Sequence, residues 1–436
     1  MSRAPTGRVP EFMRIAYITT YQGPTLVKRR PIVYNRSMSN RIKIELIATL
    51  LYDRAHDVEV ISQGEVVENR FKVYPPFSEP ERFHPCIPVY YGSVLPIPRL
   101  NGFWSTASIV HTFKKRHHAK PFDLVIIFNL KDQQVACADY AIRHLGLPVI
   151  LEYEDDRFVN VQGEAEVVGG FAATRSVHAA RGVLQSVSGC IGVSPHLLSQ
   201  VRSGIPTLLL RGVVGADVVK ASEESRRGKE NIVLFSGTHI GSNGIAQLIE
   251  GWRKIERADW ELHITGFGQL TNSLRRMAEE VQGIIFHGLV SRPELVRRMC
   301  SAKICINPHQ VSQTPGNVFA FKIIEYLAAG AHVITTPMGV LEAELEAGIT
   351  YMSDNTPKTI AATIQRVIEE REFEQTAMEK AQEMYGPAPI SKSLDDLLKR
   401  VRSSRTDERH VNPQHSRKAK PGEETCADFQ KDRQTV

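Results

Sequence analysis

The sequence predicts an α/β fold made of two Rossmann-like domains, each built on a doubly wound parallel sheet. Three observations support this prediction. The 436 residues exceed what one hydrophobic core usually holds. Short apolar runs alternate with helical patterns in both halves, as parallel sheets covered on two faces require. A short charged segment at 222–230 separates the halves and is expected to link the two domains.

The composition is that of a globular protein from a reducing compartment. The net charge of +6 is modest for this length and does not by itself indicate nucleic-acid binding. The six cysteines are scattered without a CxxC pair, so neither a disulfide framework nor a zinc site is suggested. No apolar run reaches the ~18 residues of a membrane-spanning helix, and the N-terminus lacks the apolar core of a signal peptide. We therefore expect a cytoplasmic protein that acts in solution or at a membrane surface.

Strand and helix patterns alternate through the first domain. The loop after its first strand contains Gly23, at a position where open α/β sheets bind ligands. The segment from about 65 to 100 is rich in proline and aromatic residues and gives no clear pattern. The strands are expected at 14–20, 57–62, 123–128, 148–153 and 189–194, with helices at 40–54, 103–118, 175–185 and 195–201.

The second domain repeats the alternation more clearly. Glycine-containing loops follow its first two strands, at 238–244 and 265–268, and the first of these loops precedes a helix. A strand, a glycine loop and a helix N-terminus in succession form an anion-binding arrangement. The strands are expected at 231–237, 260–264, 284–288, 302–308, 332–336 and 349–352.

The C-terminal part contains a last amphipathic helix and a polar tail. Gly386 and two prolines interrupt the chain, apolar residues then recur at helical spacing, and the tail is too polar to fold. The predicted division is 1–221 for the first domain, 222–230 for the linker, 231–385 for the second domain, 386–402 for a crossover helix and 403–436 for a disordered tail.

The most informative stretch is a predicted helix that begins at Asn317 and ends at Gly330. Asn317 is a favoured N-cap residue, and the amides beyond it would form an anion site together with the helix dipole. Lys322 lies near the first turn, where a cation opposes the dipole by roughly 0.3–1 kcal/mol unless an anion is bound. Glu325 would accept two hydrogen bonds from a vicinal diol such as a ribose. The alternative is an ordinary amphipathic helix with a surface pair between Lys322 and Glu325.

This stretch resembles the donor-binding segment of retaining glycosyltransferases of family 4, which have the GT-B fold. In that family two glutamates, with seven residues between them, span the helix; here Asn317 replaces the first and Glu325 matches the second. The resemblance extends over the second domain through short motifs at 235–244, 266–268, 286–295 and 306–309. It implies two domains facing each other across a cleft and metal-independent transfer of a hexosyl group from a nucleoside-diphosphate-sugar, with retention.

The resemblance also implies roles for particular residues. Lys322 and nearby amides would contact the diphosphate, Glu325 the ribose, and Asn317 a sugar hydroxyl; these three are the expected catalytic residues. Thr238 and Asn243 stand where the family commonly has an arginine and a lysine. The expected donor-binding residues are Gly23, Gly237, Thr238, His239, Gly266, Phe267, Gly268, His287, Val318, Phe319, Ala320, Phe321, Lys322 and Glu325.

Two other features have more than one interpretation. The acidic run 152–156 could contact the acceptor through Glu154 and Asp155, or be a solvated loop; a metal-binding triplet does not suit a metal-independent fold. The predicted helix Phe103–His118 has an apolar stripe and a basic end. It would lie on an anionic membrane or pack its stripe on the sheet, and we favour the packing.

The expected function is transfer of a sugar to a surface polysaccharide or a lipid-linked glycan. The loss of the usual charges at Asn317, Thr238 and Asn243 also allows a catalytically weak nucleotide-binding partner subunit. A sugar-nucleotide epimerase of similar fold is a further alternative. A dinucleotide dehydrogenase rests only on Gly266–Gly268, which lacks the third glycine of the fingerprint. The sequence leaves the base, the sugar and the acceptor open.

Overall fold

The computed structural model describes residues 12–31, 38–64, 66, 71–98, 100–158, 171–225, 228–311, 319–339, 341–370 and 376–411. Within these residues the chain forms two lobes, each with its own mostly parallel sheet and helices on both faces. This arrangement confirms the predicted pair of doubly wound α/β domains.

The first lobe is built on a sheet whose strands follow the order β3-β4-β2-β1-β5-β6-β7-β8. These strands are β1 (Arg14–Thr19), β2 (Asp57–Ser62), β3 (Phe77–Ser78), β4 (Val89–Tyr91), β5 (Leu124–Phe128), β6 (Val149–Tyr153), β7 (Gly189–Gly192) and β8 (Thr207–Leu209). The helices are α1 (Pro24–Arg29), α2 (Met38–Asp53), α3 (Asn101–Ala119), α4 (Asp132–Arg143), α5 (Phe171–Ser186), α6 (Pro195–Ser199) and α7 (Ala216–Glu224).

The second lobe is built on a parallel sheet with the order β11-β10-β9-β12-β13-β14. These strands are β9 (Glu230–Ser236), β10 (Glu261–Thr265), β11 (Ile284–Gly288), β12 (Ala302–Asn307), β13 (His332–Thr335) and β14 (Ile349–Tyr351). The later helices are α8 (Ile245–Trp252), α9 (Thr271–Ala278), α10 (Arg292–Ser301), α11 (Lys322–Ala328), α12 (Pro357–Glu370), α13 (Thr376–Tyr385) and α14 (Pro387–Val411).

The central strands form because their residues are apolar on both faces. β1, β5 and β6 are buried along their whole length, and β9 is buried through its middle. A strand covered by helices on two sides excludes water from both faces, so continuous runs of Ile, Val, Leu and Phe favour it over an alternating pattern. In both sheets the strand order reverses beside the first strand of the lobe, at the β1–β5 and the β9–β12 pairs, where open sheets bind ligands.

The carboxyl edges of the two sheets face each other. Arg211, which follows β8, forms an ion pair with Glu342, which follows β13. Tyr385 donates a 2.8 Å hydrogen bond to the same carboxylate. A Cβ atom at Gly212 would lie 3.1 Å from the Ile324 side chain of α11, so the first lobe rests directly on this helix. A ligand bound at one carboxyl edge would therefore lie close to the other.

Helix α14 returns from the second lobe and packs on the first. Arg54 donates a 2.9 Å hydrogen bond to Ser391, and the Arg400 guanidinium donates to the Thr207 carbonyl at 3.1 Å. Five apolar side chains on the inner face of the helix are buried: Ile390, Leu394, Leu397, Leu398 and Val401.

Three boundaries differ from the predicted ones. Helix α14 continues to Val411, so the start of the predicted disordered tail is helical, while 412–436 lie outside the described residues. The segment 222–230 begins inside α7, which ends at Glu224. Helix α11 begins at Lys322 rather than at Asn317, and Asn317 and Val318 lie outside the described residues.

Among the described residues, no helix combines the length and the hydrophobicity that crossing a bilayer requires.

Candidate functional site

Two glycine loops meet at the carboxyl edge of the second sheet, after β9 and β10. Gly266 has a φ of +117°, and a Cβ atom there would overlap the Gly237 carbonyl oxygen. A Cβ atom at Gly268 would lie 2.6 Å from the carbonyl oxygen of His239. The Gly266 amide donates to the Gly288 carbonyl at 2.8 Å and so connects the second loop to the end of β11. Only glycine lets these backbones approach so closely.

We expect Gly266→Ala to lower the free energy of unfolding by about 2–5 kcal/mol, because alanine is strained at this φ and its methyl group strikes the Gly237 backbone. Gly241→Ala is the matched control, since a Cβ atom there meets nothing within 4 Å. Urea unfolding of both variants checks the prediction. Equal stability of the two variants would contradict the described packing of the loops.

Lys322 places a cation at the end of β9. Its ammonium donates to the Ser236 carbonyl at 3.2 Å and lies 4.5 Å from the centroid of the Phe235 ring. A Cβ atom at Gly237 would lie 3.3 Å from Lys322 Nζ, so the cation borders the glycine loop. No carboxylate among the described residues pairs with Lys322, and burial lowers its pKa to about 7. An anion bound beside Gly237 would restore the charge that burial disfavours.

Tyr326 fixes the helix α11 to the same point. The Ser236 amide donates to Tyr326 Oη at 3.0 Å, and Tyr326 Oη lies 3.3 Å from the Ser236 carbonyl oxygen, to which it donates. Because Lys322 and Tyr326 are four residues apart, they lie on one face of the helix. Tyr326 was not among the predicted site residues. Its signals in the sequence are its helical spacing from Lys322 and its place within the stretch 317–330 that resembles the donor-binding segment.

Glu325 faces in another direction and is buried. Its carboxylate accepts a hydrogen bond from Arg292 at 2.7 Å, and Arg292 also donates to Asp217 at 2.8 Å. Burial raises the pKa of Glu325, and the Arg292 guanidinium opposes this shift. The alternative of a surface pair between Lys322 and Glu325 is therefore wrong, because each residue has a different partner and Glu325 is not at the surface.

The predicted phosphate contact of His239 is not supported by its position. His239 is fully buried, and its Nδ1 lies 3.0 Å from the Thr271 hydroxyl. Burial lowers the pKa of His239, so the ring is neutral at neutral pH. The Thr238 carbonyl accepts a 2.6 Å hydrogen bond from Asn243, whose amide closes the loop. The loop after β9 therefore offers backbone groups to a ligand, and the Lys322 ammonium borders it.

An exposed apolar pair lies beside the glycine loops. Phe267 is 45% exposed and Leu289 is 61% exposed. They follow Gly266 and Gly288, which are hydrogen-bonded to each other, so the two side chains start from adjacent backbone positions. Exposed aromatic and aliphatic surface of this kind suits the face of a nucleobase. Leu289 was not identified from the sequence.

His287 lies on the α10 side of the second sheet. Its Nε2 accepts a 2.9 Å hydrogen bond from Arg298, and its ring centroid lies 4.7 Å from that of His263. Burial and the Arg298 charge lower the pKa of His287 to about 4. His287, which was predicted to contact the donor, is thus uncharged at neutral pH and is already hydrogen-bonded to Arg298.

The residues just before α11 belong to the core between the lobes. Phe319 and Phe321 are buried, and Ala320 is half-buried with its carbonyl accepting from the Ile323 amide at 3.0 Å. Any contact of this segment with a donor would therefore involve backbone groups rather than aromatic side chains.

The predicted ligand position at Gly23 is occupied by the protein itself. The amides of Thr25 and Leu26, at the start of α1, both donate to the Glu79 carboxylate at 3.3 Å. The Gly23 amide donates to Tyr91 Oη at 2.9 Å, and Tyr91 donates to Glu79 at 3.2 Å. A carboxylate on these amides excludes a phosphate, so we remove Gly23 from the donor site.

The acidic run after β6 forms a buried ion cluster in the first lobe. Lys43 pairs with Glu154 and lies 3.6 Å from Glu152, which also accepts a hydrogen bond from Tyr17. Burial, together with the charge of Glu152, raises the pKa of Glu154 to about 7. Lys43 therefore occupies the position between Glu152 and Glu154 that a metal ion bound to both carboxylates would need.

Asp155 is held at the rim of this cluster. Asn129, which has a φ of +59°, donates to the Asp155 carboxylate at 3.2 Å. The Asn129 side-chain oxygen accepts the amide hydrogen of Glu154 at 2.7 Å. Asp155 itself is exposed at the carboxyl edge of the first sheet, whereas most of the Glu154 side chain is buried.

The comparisons with known proteins agree with this architecture. Residues 230–370 match the sequence model described as glycosyl transferases group 1. No curated protein sequence is significantly similar to the chain.

Solved structures of similar fold cover almost the whole chain. Sucrose-phosphate synthase from Thermosynechococcus elongatus is 17% identical with a TM-score of 0.67, over 90% of this chain and 100% of that one. HepE of Anabaena, in complex with UDP, is 14% identical with a TM-score of 0.59, over 89% and 100%. WaaG, a glycosyltransferase involved in lipopolysaccharide biosynthesis, is 14% identical with a TM-score of 0.58, over 88% and 99%. The chain therefore has the GT-B fold, and its residues 230–370 match the group 1 glycosyltransferase domain.

Proposed function

We propose that the protein is a retaining glycosyltransferase that moves a hexosyl group from a nucleoside-diphosphate-sugar to an acceptor bound between the lobes, without a metal. The observation that carries this proposal is the Lys322 ammonium at the end of β9. It borders Gly237, it has no carboxylate partner among the described residues, and its pKa is lowered to about 7. Such a group favours a bound anion. The group 1 glycosyltransferase domain that contains it makes a diphosphate the natural choice.

The proposed chemistry depends on charge stabilisation. The departing diphosphate gains negative charge as the bond to the anomeric carbon breaks, and Lys322 with the glycine-loop amides would stabilise that charge. Oxygen atoms of the leaving group would assist deprotonation of the acceptor on the same face, so the proposal needs no protein base. Phe267 and Leu289 would contact the base, Glu325 the ribose, and Asn317 a hydroxyl of the transferred sugar.

A second candidate is a nucleotide-binding partner subunit with little catalytic activity. It is favoured by the loop after β9, where Asn243 is used to hold the Thr238 carbonyl and adds no charge to the site. Such a subunit would bind a nucleoside diphosphate without releasing one from its sugar. An epimerase would instead convert the donor without an acceptor.

The test is a thermal-shift panel of UDP, GDP and ADP, followed by turnover with the matching glucose and N-acetylglucosamine donors. We expect stabilisation by one base and diphosphate release that persists in EDTA. NMR of the product should show that the anomeric configuration is retained. Binding without diphosphate release would select the partner subunit. A flat response to every nucleotide would overturn the donor site.

For the acceptor we propose a lipid-linked glycan, reached through peripheral membrane contact at the start of α3. Phe103 is 79% exposed and Trp104 is 40% exposed, whereas Ile109 and Phe113 are buried against the lobe. The helix thus both packs on the sheet, as we favoured, and leaves an aromatic tip in solvent. Helix α3 contains no acidic residue, and its exposed face also carries Lys115, so its charge suits an anionic bilayer.

We expect the protein to sediment with vesicles that contain phosphatidylglycerol and not with vesicles of phosphatidylcholine alone. Phe103→Ser should reduce the bound fraction several-fold, because burial of a phenylalanine side chain contributes about 1.5–3 kcal/mol. Tyr351→Ser, at an exposed aromatic residue of the second lobe, is the control. Equal binding to both vesicle types, or no effect of Phe103→Ser, would contradict the proposed contact.

A further inference from the structure

We infer that Arg292 is the positioning residue that keeps Glu325 ionised and oriented for the donor. The inference deepens the proposed function and rests on it. Arg292 is the first residue of α10, and its guanidinium connects that helix to two others. It donates to Glu325 on α11 at 2.7 Å, and to Asp217 on α7 at 2.8 Å and 3.3 Å.

The Glu325 end of this group of three charges is buried, whereas the Asp217 end reaches the surface. The Glu325 side chain is 5% exposed, so its charge has little access to water. The Asp217 carboxylate also accepts the Val218 amide at 2.9 Å, which fixes its direction. A Cβ atom at Gly215 would overlap that carboxylate and lie 3.4 Å from Arg292 Nη2. Glycine at 215 therefore leaves the space in which Asp217 holds Arg292.

Without Arg292, the Glu325 carboxylate would be buried with no cation beside it. A buried carboxyl group in that condition takes up a proton, because desolvation disfavours the charged form. A protonated carboxyl group can no longer accept hydrogen bonds from two ribose hydroxyls at full strength. Arg292 would thus set the pH range in which Glu325 can bind a ribose, although it need not touch the donor.

Arg292 also has hydrogen-bonding capacity left over. Its Nη1 is buried and has no hydrogen-bond partner among the described residues. The guanidinium as a whole is shared between two carboxylates, so the group of three carries a net charge of −1 when all are ionised. When a ribose hydroxyl donates a hydrogen bond to Glu325, Arg292 can remain on Asp217. Glu325 can therefore change its hydrogen-bond partner from Arg292 to a ribose hydroxyl while Arg292 stays bound to Asp217.

The test is the dissociation constant of UDP, GDP and ADP, measured by calorimetry from pH 5.5 to 8.5 on Arg292→Met and Arg292→Lys. We expect the nucleotide that binds the wild type to bind Arg292→Met 10- to 100-fold more weakly at pH 6.5. Affinity should recover as pH rises, since Glu325, which has lost the cation that opposes its protonation, then ionises again. Arg292→Lys should retain most of the affinity, because it keeps a cation. Arg297→Met, which loses an exposed pair on the same helix, is the control.

The 2′-deoxy analogue of the same nucleotide distinguishes a role of Arg292 in positioning Glu325 for the ribose from a role in stabilising the fold alone. It lacks one of the two hydroxyls, so its affinity should respond much less to Arg292→Met. Equal losses for both ligands, or an unchanged pH profile, would overturn the inference even if the wild type binds a nucleotide tightly. Absence of nucleotide binding by the wild type would overturn the proposed function as well. If Arg292→Met fails to fold, Arg292→Gln, which also removes the cation beside Glu325, carries the same comparison.

Discussion

Lys322→Met is expected to weaken binding of the donor nucleoside diphosphate by about 10- to 100-fold, the range that one or two charge-assisted hydrogen bonds supply. The same change should leave the fold at least as stable as before. In the free protein the ammonium is held by one carbonyl and one aromatic ring, which compensate its desolvation only in part. Methionine has a similar length and removes that cost. Calorimetry and urea unfolding measure the two effects.

The pH dependence of the free energy of unfolding is an independent test of the lowered pKa of Lys322. Its pKa falls from 10.5 to about 7 in the folded protein, so the unfolded chain binds more protons between these values. Stability contributed through this residue should therefore rise as pH increases from about 7 towards 10. Lys322→Met should remove that rise, and at pH 8 nucleotide binding to the wild type should take up a proton. A variant with unchanged affinity and unchanged pH dependence would contradict the assignment of Lys322.

Lys43→Met is expected to destabilise the first lobe by about 3–5 kcal/mol at pH 7–8, because it leaves two buried carboxylates without the cation that pairs with them. Glu152 and Glu154 would then lie together without a cation. The pKa of each is already raised, and it would rise further. Carboxyl groups whose pKa is raised in the folded state stabilise it when protonated, so the loss should shrink as pH falls towards 5. Urea unfolding at pH 5 and pH 8 checks this.

Glu154→Gln separates the structural role of this cluster from the predicted acceptor contact. It leaves Lys43 paired with Glu152 alone, so stability should change little, and it should recover part of the loss when combined with Lys43→Met. If Glu154 also contacts the acceptor, the KM for the acceptor should rise while the affinity for the nucleotide stays constant. A large loss of stability in Glu154→Gln would contradict the charge balance described here.

The sequence predicted the architecture because the strands are buried on both faces and therefore appear as continuous apolar runs. It did not predict β3 and β4, which are only two and three residues long and lie in the proline-rich segment. The start of α11 was placed too early because Asn317 suggested an N-cap, whereas the helix begins at Lys322 without a side-chain cap. A favoured cap residue shows where a helix is able to begin, and packing decides where it does.

The sequence identified several residues of the candidate site but not the residues that they contact. Lys322 was identified from its place near the first turn of the predicted helix, but its partner Ser236 lies 86 residues earlier in the chain. The pairing of Glu325 with Arg292 and the capping of α1 by Glu79 also join distant parts of the sequence, 33 and 54 residues apart. Single motifs therefore predicted that Gly23 and His239 contact the ligand. In the fold, the Gly23 amide is hydrogen-bonded to Tyr91 and the His239 ring to Thr271.

The most direct measurement is a crystal structure with the nucleoside diphosphate that stabilises the protein most in the panel. We predict a phosphate oxygen at about 2.7–3.2 Å from Lys322 Nζ, beside Gly237 at the end of β9. A nucleotide whose phosphates lie elsewhere, with Lys322 still bonded to the Ser236 carbonyl, would contradict the proposed donor site.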